Sequence, residues 1–188
     1  MSCKAIKSIT YNLCDTNMGG ITKIYLANID DVSAVTFGTA TTLSDIGITG
    51  ITMVSGKHFE EFAIKKNTSN FTSTLTVNDN GSSYVSTVLS FLLPKMDAAK
   101  KAAMNAFMLA EAVAIVKDAN GRYWFLGEKW VDNEGIERES PLTNTAGTGE
   151  TGTAKSDANQ YTIELTAETG GYPEEVQGSI VAGLLATE

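Results

Sequence analysis

One alanine-rich segment is the only strong helical signal in this sequence, and it constrains the fold more than any other feature. Asp97 follows Pro94 as a good helix N-cap, and residues 96–111 contain no glycine, proline or β-branched residue. At the helical period, one broad face carries Ala98, Ala99, Ala102, Ala103, Ala106, Phe107, Leu109 and Ala110. We expect this face to lie against a sheet, with Phe107 and Leu109 as its larger anchors.

Two methionines interrupt the opposite face of the predicted helix. Met104 and Met108 fall among charged and polar residues, namely Asp97, Lys100, Lys101, Asn105 and Glu111. Apolar side chains on a charged face are typical of a contact surface. We expect a neighbouring subunit to pack against Met104 and Met108.

A hairpin is predicted directly after this helix. Residues 112–117 and 122–128 flank the sequence Asp118-Ala-Asn120-Gly121. Asn-Gly is a strong hairpin signal, and the two-residue turn that it favours needs positive φ at both central residues. We expect that turn here.

The rest of the chain is predicted to form short strands. Alternating apolar and polar residues indicate strands at residues 57–65, 71–77 and 161–167. Apolar runs between turn-rich segments indicate further strands at residues 6–13, 21–27, 32–37, 84–93 and 179–185. Together with the helix, this pattern predicts one domain over residues 1–188. We expect a mainly β fold, a barrel or sandwich of about eight to ten strands with one flanking α-helix.

Two segments rich in glycine and threonine do not fit this pattern. Residues 38–56 carry Leu43, Ile46 and Ile48 but are too rich in glycine for a core strand. We interpret them as a projecting β-arm covered by another chain; the alternative is an irregular edge folded onto the chain's own barrel. Residues 129–158 are predicted to form a long Gly/Thr-rich loop, which would be mobile around residues 148–153 in a lone subunit.

The charge balance and the cysteines exclude several classes of function. A net charge of −8 argues against a protein that grips nucleic acid by neutralising phosphates, but not against one that lets nucleic acid pass. Cys3 and Cys14 form neither a disulfide framework nor a metal-ligand spacing. Since no window approaches 18 apolar residues, we expect no membrane-spanning segment.

The sequence contains no recognisable catalytic or metal-binding set. His58 is the only histidine, and its strand context is typical of an exposed side chain. We therefore expect no cofactor, no metal and no enzymatic activity. Tyr123, Trp124 and Trp130 form an aromatic cluster that is more typical of a core or interface than of a sugar-binding platform.

Several short motifs together resemble a known family. They are Cys14-Asp15-x-Asn17-x-Gly19-Gly20-Ile21 with the run 23–28, the central helix leading into 114–124 with Gly127, and the segment 151–157 before the strand at Tyr161. In these motifs the chain resembles the tail tube proteins (major tail proteins) of phages and prophages of Bacteroides-type hosts. The resemblance covers most of the chain.

This resemblance implies a structural role in a virion. Subunits of that family would form a β-barrel with one flanking helix and assemble into hexameric rings that stack into a tube for DNA. The implied location is the phage tail, after assembly in the host cytoplasm. The implied partners are further copies of the chain and other tail proteins, such as sheath, terminator or baseplate proteins, while DNA passes without specific binding. Residues 38–56 would match the region of a stacking loop.

Two functions therefore remain as expectations from the sequence. In the first, an acidic tube repels phosphates and lets DNA slide, and subunits meet through Leu43, Ile46, Ile48, Met104 and Met108. In the second, the chain is a carbohydrate-binding β-sandwich module of a tail fibre or cell surface. That module would use Tyr123, Trp124 and Trp130.

Overall fold

The computed structural model describes residues 17–38, 47–65, 67–132 and 135–185, and strands dominate these residues. The strands are β1 Ile21–Asn28, β2 Val32–Phe37, β3 Ile48–Met53, β4 Glu60–Phe62, β5 Asn70–Val77, β6 Ser83–Pro94, β7 Ala112–Asp118, β8 Tyr123–Leu126, β9 Glu128–Val131, β10 Glu137–Ser140, β11 Thr143–Glu150, β12 Gln160–Thr169 and β13 Glu174–Val176. The α-helices are α1 Ala98–Phe107 and α2 Gly178–Val181. The predicted mainly β class with a flanking helix is confirmed.

Two sheets stack to form a sandwich. The larger has seven strands in the order β2-β3-β13-β8-β7-β1-β4, and the smaller has four in the order β11-β12-β6-β5. Strands β9 and β10 form a separate antiparallel pair. Within the two main sheets every paired strand is antiparallel except β3 with β13.

A first core fills the space between the two sheets. Strands β6 and β12 alternate as the sequence predicted, so that Leu89, Phe91, Ile163 and Leu165 point inward and are fully or almost fully buried. They meet side chains of the seven-stranded sheet, including Ile24, Leu26, Ala114 and Val116. This packing holds the four-stranded sheet by one face only.

A second core covers the other face of the seven-stranded sheet. Tyr25, Val113, Ile115 and Phe125 lie on this face, together with Ile29, Ile48, Phe59, Val181 and Leu184 from neighbouring segments. Residues 113–116 of β7 are consequently buried without interruption. Such a run is typical of a strand covered on both faces.

Helix α1 packs with a different face from the predicted one. Asp97 caps it as expected, since its carboxylate accepts the backbone N–H of Lys100 at 2.9 Å. Phe107 is buried, but Leu109 is 94% exposed, so the prediction that Leu109 anchors the helix is wrong. Met104 packs against the core rather than lying on an outer face. Ala103, Met104 and Phe107 pack inward and adjoin one another at the border of the predicted face, because the two large side chains, rather than the alanine methyl groups, determine which side of this short helix is buried.

Two hairpins share one turn type, which differs from the predicted one. The backbone N–H groups of Gly81 and Gly121 donate to the carbonyl oxygens of Asn78 and Asp118. Each of these glycines has positive φ, whereas Asn120 does not. This is a type I turn followed by a left-handed glycine, so only Gly121 needs positive φ. The hairpin that Asn120-Gly121 predicted is present, but with this longer turn.

Three further segments differ from their predicted form. Residues 48–53 form β3, which pairs with β2, and Ile48 is fully buried in the second core. Within residues 129–158, strands β10 and β11 and most of β9 replace the predicted loop. Residues 179–185 form α2 and a 3₁₀ turn instead of a strand, because Ile180, Val181 and Leu184 reach the second core at helical spacing.

Some predictions concern residues that the structure does not describe. The strand at residues 6–13, the two cysteines Cys3 and Cys14, and the interface residues Leu43 and Ile46 all lie outside the described residues.

Candidate assembly surfaces

Polar side chains that could support catalysis are dispersed over the described residues. His58 is exposed, and its Nε2 lies 3.6 Å from a carboxylate oxygen of Glu60. In the described part of the chain, no group of three or more His, Cys, Asp or Glu side chains is placed to hold a metal ion. Among the same residues no helix has the length and apolar character needed to cross a membrane.

The aromatic residues of the carbohydrate hypothesis do not form one surface. Trp124 packs on the first core, and its Nε1–H donates to Asp118 at 3.2 Å. Tyr123 and Trp130 pack on the second core, on the opposite face of the sheet. The rings of Trp130 and Phe37 pack in a T-shaped arrangement, with 5.3 Å between their centroids. All three rings are half-buried and help to hold the fold together.

The outer face of the four-stranded sheet is polar and acidic. Side chains that point away from the core on its four strands include Thr72, Thr74, Thr76, Ser86, Ser90, Thr148, Thr162 and Thr166, with Val88 and Leu92 as half-buried apolar members. Its charged members are Glu150, Glu164 and Glu168. The four strands contain no lysine, arginine or histidine. This sheet therefore presents a face of one charge sign.

Both edges of the four-stranded sheet are long and almost uncharged. Edge strands β5 and β11 have eight residues each, and Glu150 at the end of β11 is their only ionisable residue. Three successive antiparallel pairings separate them, so that β5 and β11 run in opposite directions. Edge strands with unpaired backbone groups and without charges are templates for pairing with another chain.

Large apolar side chains are exposed close to both of these edges. Leu75 and Val77 of β5 are 50% and 67% exposed, and Met108 and Leu109 at the end of α1 are 69% and 94% exposed. The alternation in β5 places Leu75 and Val77 on the core side of the sheet, but the opposing sheet does not cover them. The sequence pattern gives no sign of this, because it does not reveal how far one sheet extends past the other.

The predicted interface residues occupy unequal positions. Met108 is exposed and available to a neighbour, whereas Met104 is half-buried. The Cε of Met104 lies so close to Gly147 that a Cβ added to this glycine would be 3.2 Å away from it. The Ile48 side chain has no exposed surface in the described fold. Of the three described residues, Met108 thus offers the cleanest test of a subunit contact.

A groove of about 370 Å³ runs between α1 and strands β1 and β4. Its floor is apolar, with Leu26, Phe62, Ala103 and Phe107 among the lining residues. At its rim Lys57 forms an ion pair of 3.1 Å with Asp31. The sequence did not predict this groove, since it arises from how the short helix crosses the sandwich.

One buried carboxylate lies at the start of β9. Glu128 accepts the backbone N–H of Gly170 at 3.0 Å, which ties β9 to the loop after β12. Burial raises the pKa of the Glu128 carboxyl group, and the hydrogen bond from Gly170 opposes that rise. This contact is structural, since a single carboxylate with a backbone partner provides no reacting pair.

Comparison of the chain with protein-family models, with curated proteins and with solved structures gives no match.

Proposed function

We propose that this chain is the subunit of a ring-forming tail tube, in which the four-stranded sheets of successive copies join edge to edge. The supporting observation is the pair of antiparallel edges on one sheet, whose only ionisable residue is Glu150 at the end of β11. A rotation that brings β5 of one copy beside β11 of the next gives antiparallel pairing, as in the rest of the sheet. Because each copy offers two different edges, the contact can repeat from copy to copy, and it closes into a ring when the rotation between neighbours divides a full turn evenly.

The outer face of the sheet suits the wall of such a ring. In a closed ring the seven-stranded sheets lie outside, since they cover the other face of the four-stranded sheets. The threonine-rich face with Glu150, Glu164 and Glu168 then faces the bore. Without lysine or arginine, this wall offers no cationic contacts to phosphates, and its carboxylates repel the DNA backbone. DNA is therefore expected to slide through without being held.

The family resemblance supplies the number of subunits and the biological setting. Six copies at −8 each give a ring of strongly negative charge, which salt screens beyond a Debye length of about 8–10 Å. Stacked rings would form the tail tube of a virion, with other tail proteins at the ends of the tube. The sheet edges support ring formation independently of this resemblance.

Proline in β5 tests the edge pairing directly. The backbone N–H of Asn78 donates toward β6, to the carbonyl of Ser82. Since N–H directions alternate along a strand, the N–H of Ser73 points away from β6, toward the free edge. Ser73→Pro therefore removes a donor for the neighbouring subunit without breaking a backbone hydrogen bond inside the sheet.

Ser73→Ala is the matched control for this experiment. Both variants lose the hydroxyl contact of Ser73 with Thr87 at 2.8 Å, but only the alanine variant keeps the N–H group. Negative-stain microscopy should show rings or tubes for wild type and Ser73→Ala, and isolated folded subunits for Ser73→Pro. Equal assembly of the two variants would refute pairing through β5. A wild-type chain that stays monodisperse at all concentrations and binds glycans would refute the tube and favour the carbohydrate module.

A further inference from the structure

We propose that the exposed end of α1, Met108 and Leu109, packs onto Leu75 and Val77 of the next subunit and forms an apolar contact beside each β5–β11 junction. This inference rests on the proposed ring, because it takes the edge pairing as its starting point. It identifies the partner surface as a second copy of this chain. The four residues are among the most exposed large apolar side chains of the described structure.

The two patches lie on the same side of the joined sheet. Leu75 pairs with Val85, which is buried in the first core, so Leu75 and Val77 point to the core side of β5. Helix α1 lies on the core side of β11, where Met104 approaches Gly147. Gly147 is paired with the buried Ile163. When β5 continues into β11 of the next copy, both patches therefore lie on the side away from the bore.

The two patches also lie at the same level along the strands. Met96 approaches Gly149 near the end of β11, and Met104 approaches Gly147. Ala112 then exchanges both backbone hydrogen bonds with Leu142, the residue just before β11. The helix thus runs opposite to β11, and Met108 and Leu109 lie beside its first half.

Antiparallel pairing brings the end of β5 to this place. Strands β5 and β11 are of equal length, so full pairing puts the Val77 end of β5 against the Thr143 end of β11. Leu75 and Val77 then face the region beside which Met108 and Leu109 lie. Removing both patches from water adds a hydrophobic term to the backbone pairing, and this term is absent in the isolated subunit.

A pair of opposite charges tests the contact without altering the buried core. The variants are Leu75→Asp, Leu109→Lys and the double variant with both changes in one chain. Val131→Asp is the control, because Val131 is 61% exposed but lies beside β2, in a different part of the fold. Circular dichroism and urea unfolding establish that each variant folds. Light scattering and sedimentation then give the concentration at which tubes appear.

We expect each single variant to raise that concentration about tenfold or more, since a 1.4 kcal/mol loss already corresponds to a factor of ten. The double variant should recover most of the loss, because the opposite charges meet across every junction. Val131→Asp should assemble like wild type.

The outcomes separate this contact from the ring itself. The contact is refuted if the single variants assemble like wild type, or if the double variant assembles no better than either single one. The ring proposal would still stand in that case, provided that wild type forms tubes. If wild type and Val131→Asp both fail to form tubes, the ring and the contact fall together.

Discussion

The sharpest prediction concerns two residues that the helical pattern treats as equivalent anchors. Phe107 is 7% exposed and packs against the rings of Phe62 and Phe91, at centroid distances of 5.4 and 6.3 Å. Truncating a buried phenylalanine to alanine costs about 3–5 kcal/mol, and its aromatic pairs are part of that cost. Leu109 is almost fully exposed in the subunit, so Leu109→Ala should change stability by less than about 0.5 kcal/mol.

Urea unfolding of the subunit, below the concentration at which it assembles, measures both values. Fluorescence of Trp124 and Trp130 and far-UV circular dichroism report on the two cores and the strands. For a chain of this size about 1 kcal/mol corresponds to roughly 2–4 °C, so Phe107→Ala should lower the melting temperature by roughly 10 °C. Leu109→Ala should leave it unchanged.

Assembly should respond to Leu109→Ala although subunit stability does not. Leu109→Ala should raise the concentration needed for tubes although the subunit is as stable as wild type. If Phe107→Ala lowers the free energy of unfolding by less than about 1 kcal/mol, the burial of Phe107 as the anchor of α1 is refuted. If Leu109→Ala destabilises the subunit as much as Phe107→Ala does, the separation of fold from contact is refuted.

Three further predictions follow from single positions. Gly127 and Gly121 both have positive φ, but only at Gly127 would a Cβ meet neighbours, with Ser140 O at 3.1 Å; in urea unfolding Gly127→Ala should therefore cost at least about 1 kcal/mol more than Gly121→Ala. Burial raises the pKa of Glu128, so the free energy of unfolding falls as the pH rises from the ordinary pKa of this carboxyl group through the raised one. Glu128→Gln should therefore stabilise the protein near pH 7. In urea unfolding near pH 4 this advantage should be smaller. Glu164→Lys with Glu168→Lys should give tubes that retain DNA at low salt and release it at high salt in a sedimentation assay, while wild-type tubes retain none.

Strands that pack one face on the core were predictable from the sequence. Ile163 and Leu165 in β12 alternate with polar residues, and Leu89 and Phe91 occupy every second position of β6, because one side of each strand meets the core and the other does not. The period of apolar residues reflects which side chains are buried, so it predicts a strand reliably where only one face of that strand is buried.

Strand β11 was not predictable, because glycine takes the place of core side chains. A Cβ at Gly149 would lie 2.7 Å from the Tyr161 ring, and one at Gly147 would lie 3.2 Å from Met104. These glycines leave room for side chains from α1 and β12 to lie over the strand. The resulting Gly/Thr-rich sequence looks like a loop although its backbone pairs with β12 from Thr143 to Glu150, with one register shift between Asn144 and Ala146.

The candidate contact surfaces were predictable only in part. Met108 was identified because it stands among charged residues on a helix. Leu75 and Val77 have the alternation of ordinary core residues, and their exposure depends on how far β5 extends beyond the opposing sheet. Relative sheet length is a tertiary property that no local pattern contains.

The larger sheet protects both of its edges, whereas edge strand β5 of the smaller sheet has no such protection, and this contrast favours pairing through β5. Edge strand β4 has only three residues, two of them the exposed Glu60 and Glu61, and edge strand β2 has register shifts at both ends. Short length, charge and bulges are the devices that keep an edge from adding strands. Strand β5 has eight residues, an unbroken register with β6 and no charge. A chain that protects both edges of one sheet, and whose described residues provide no second partner strand for β5, is expected to use that edge.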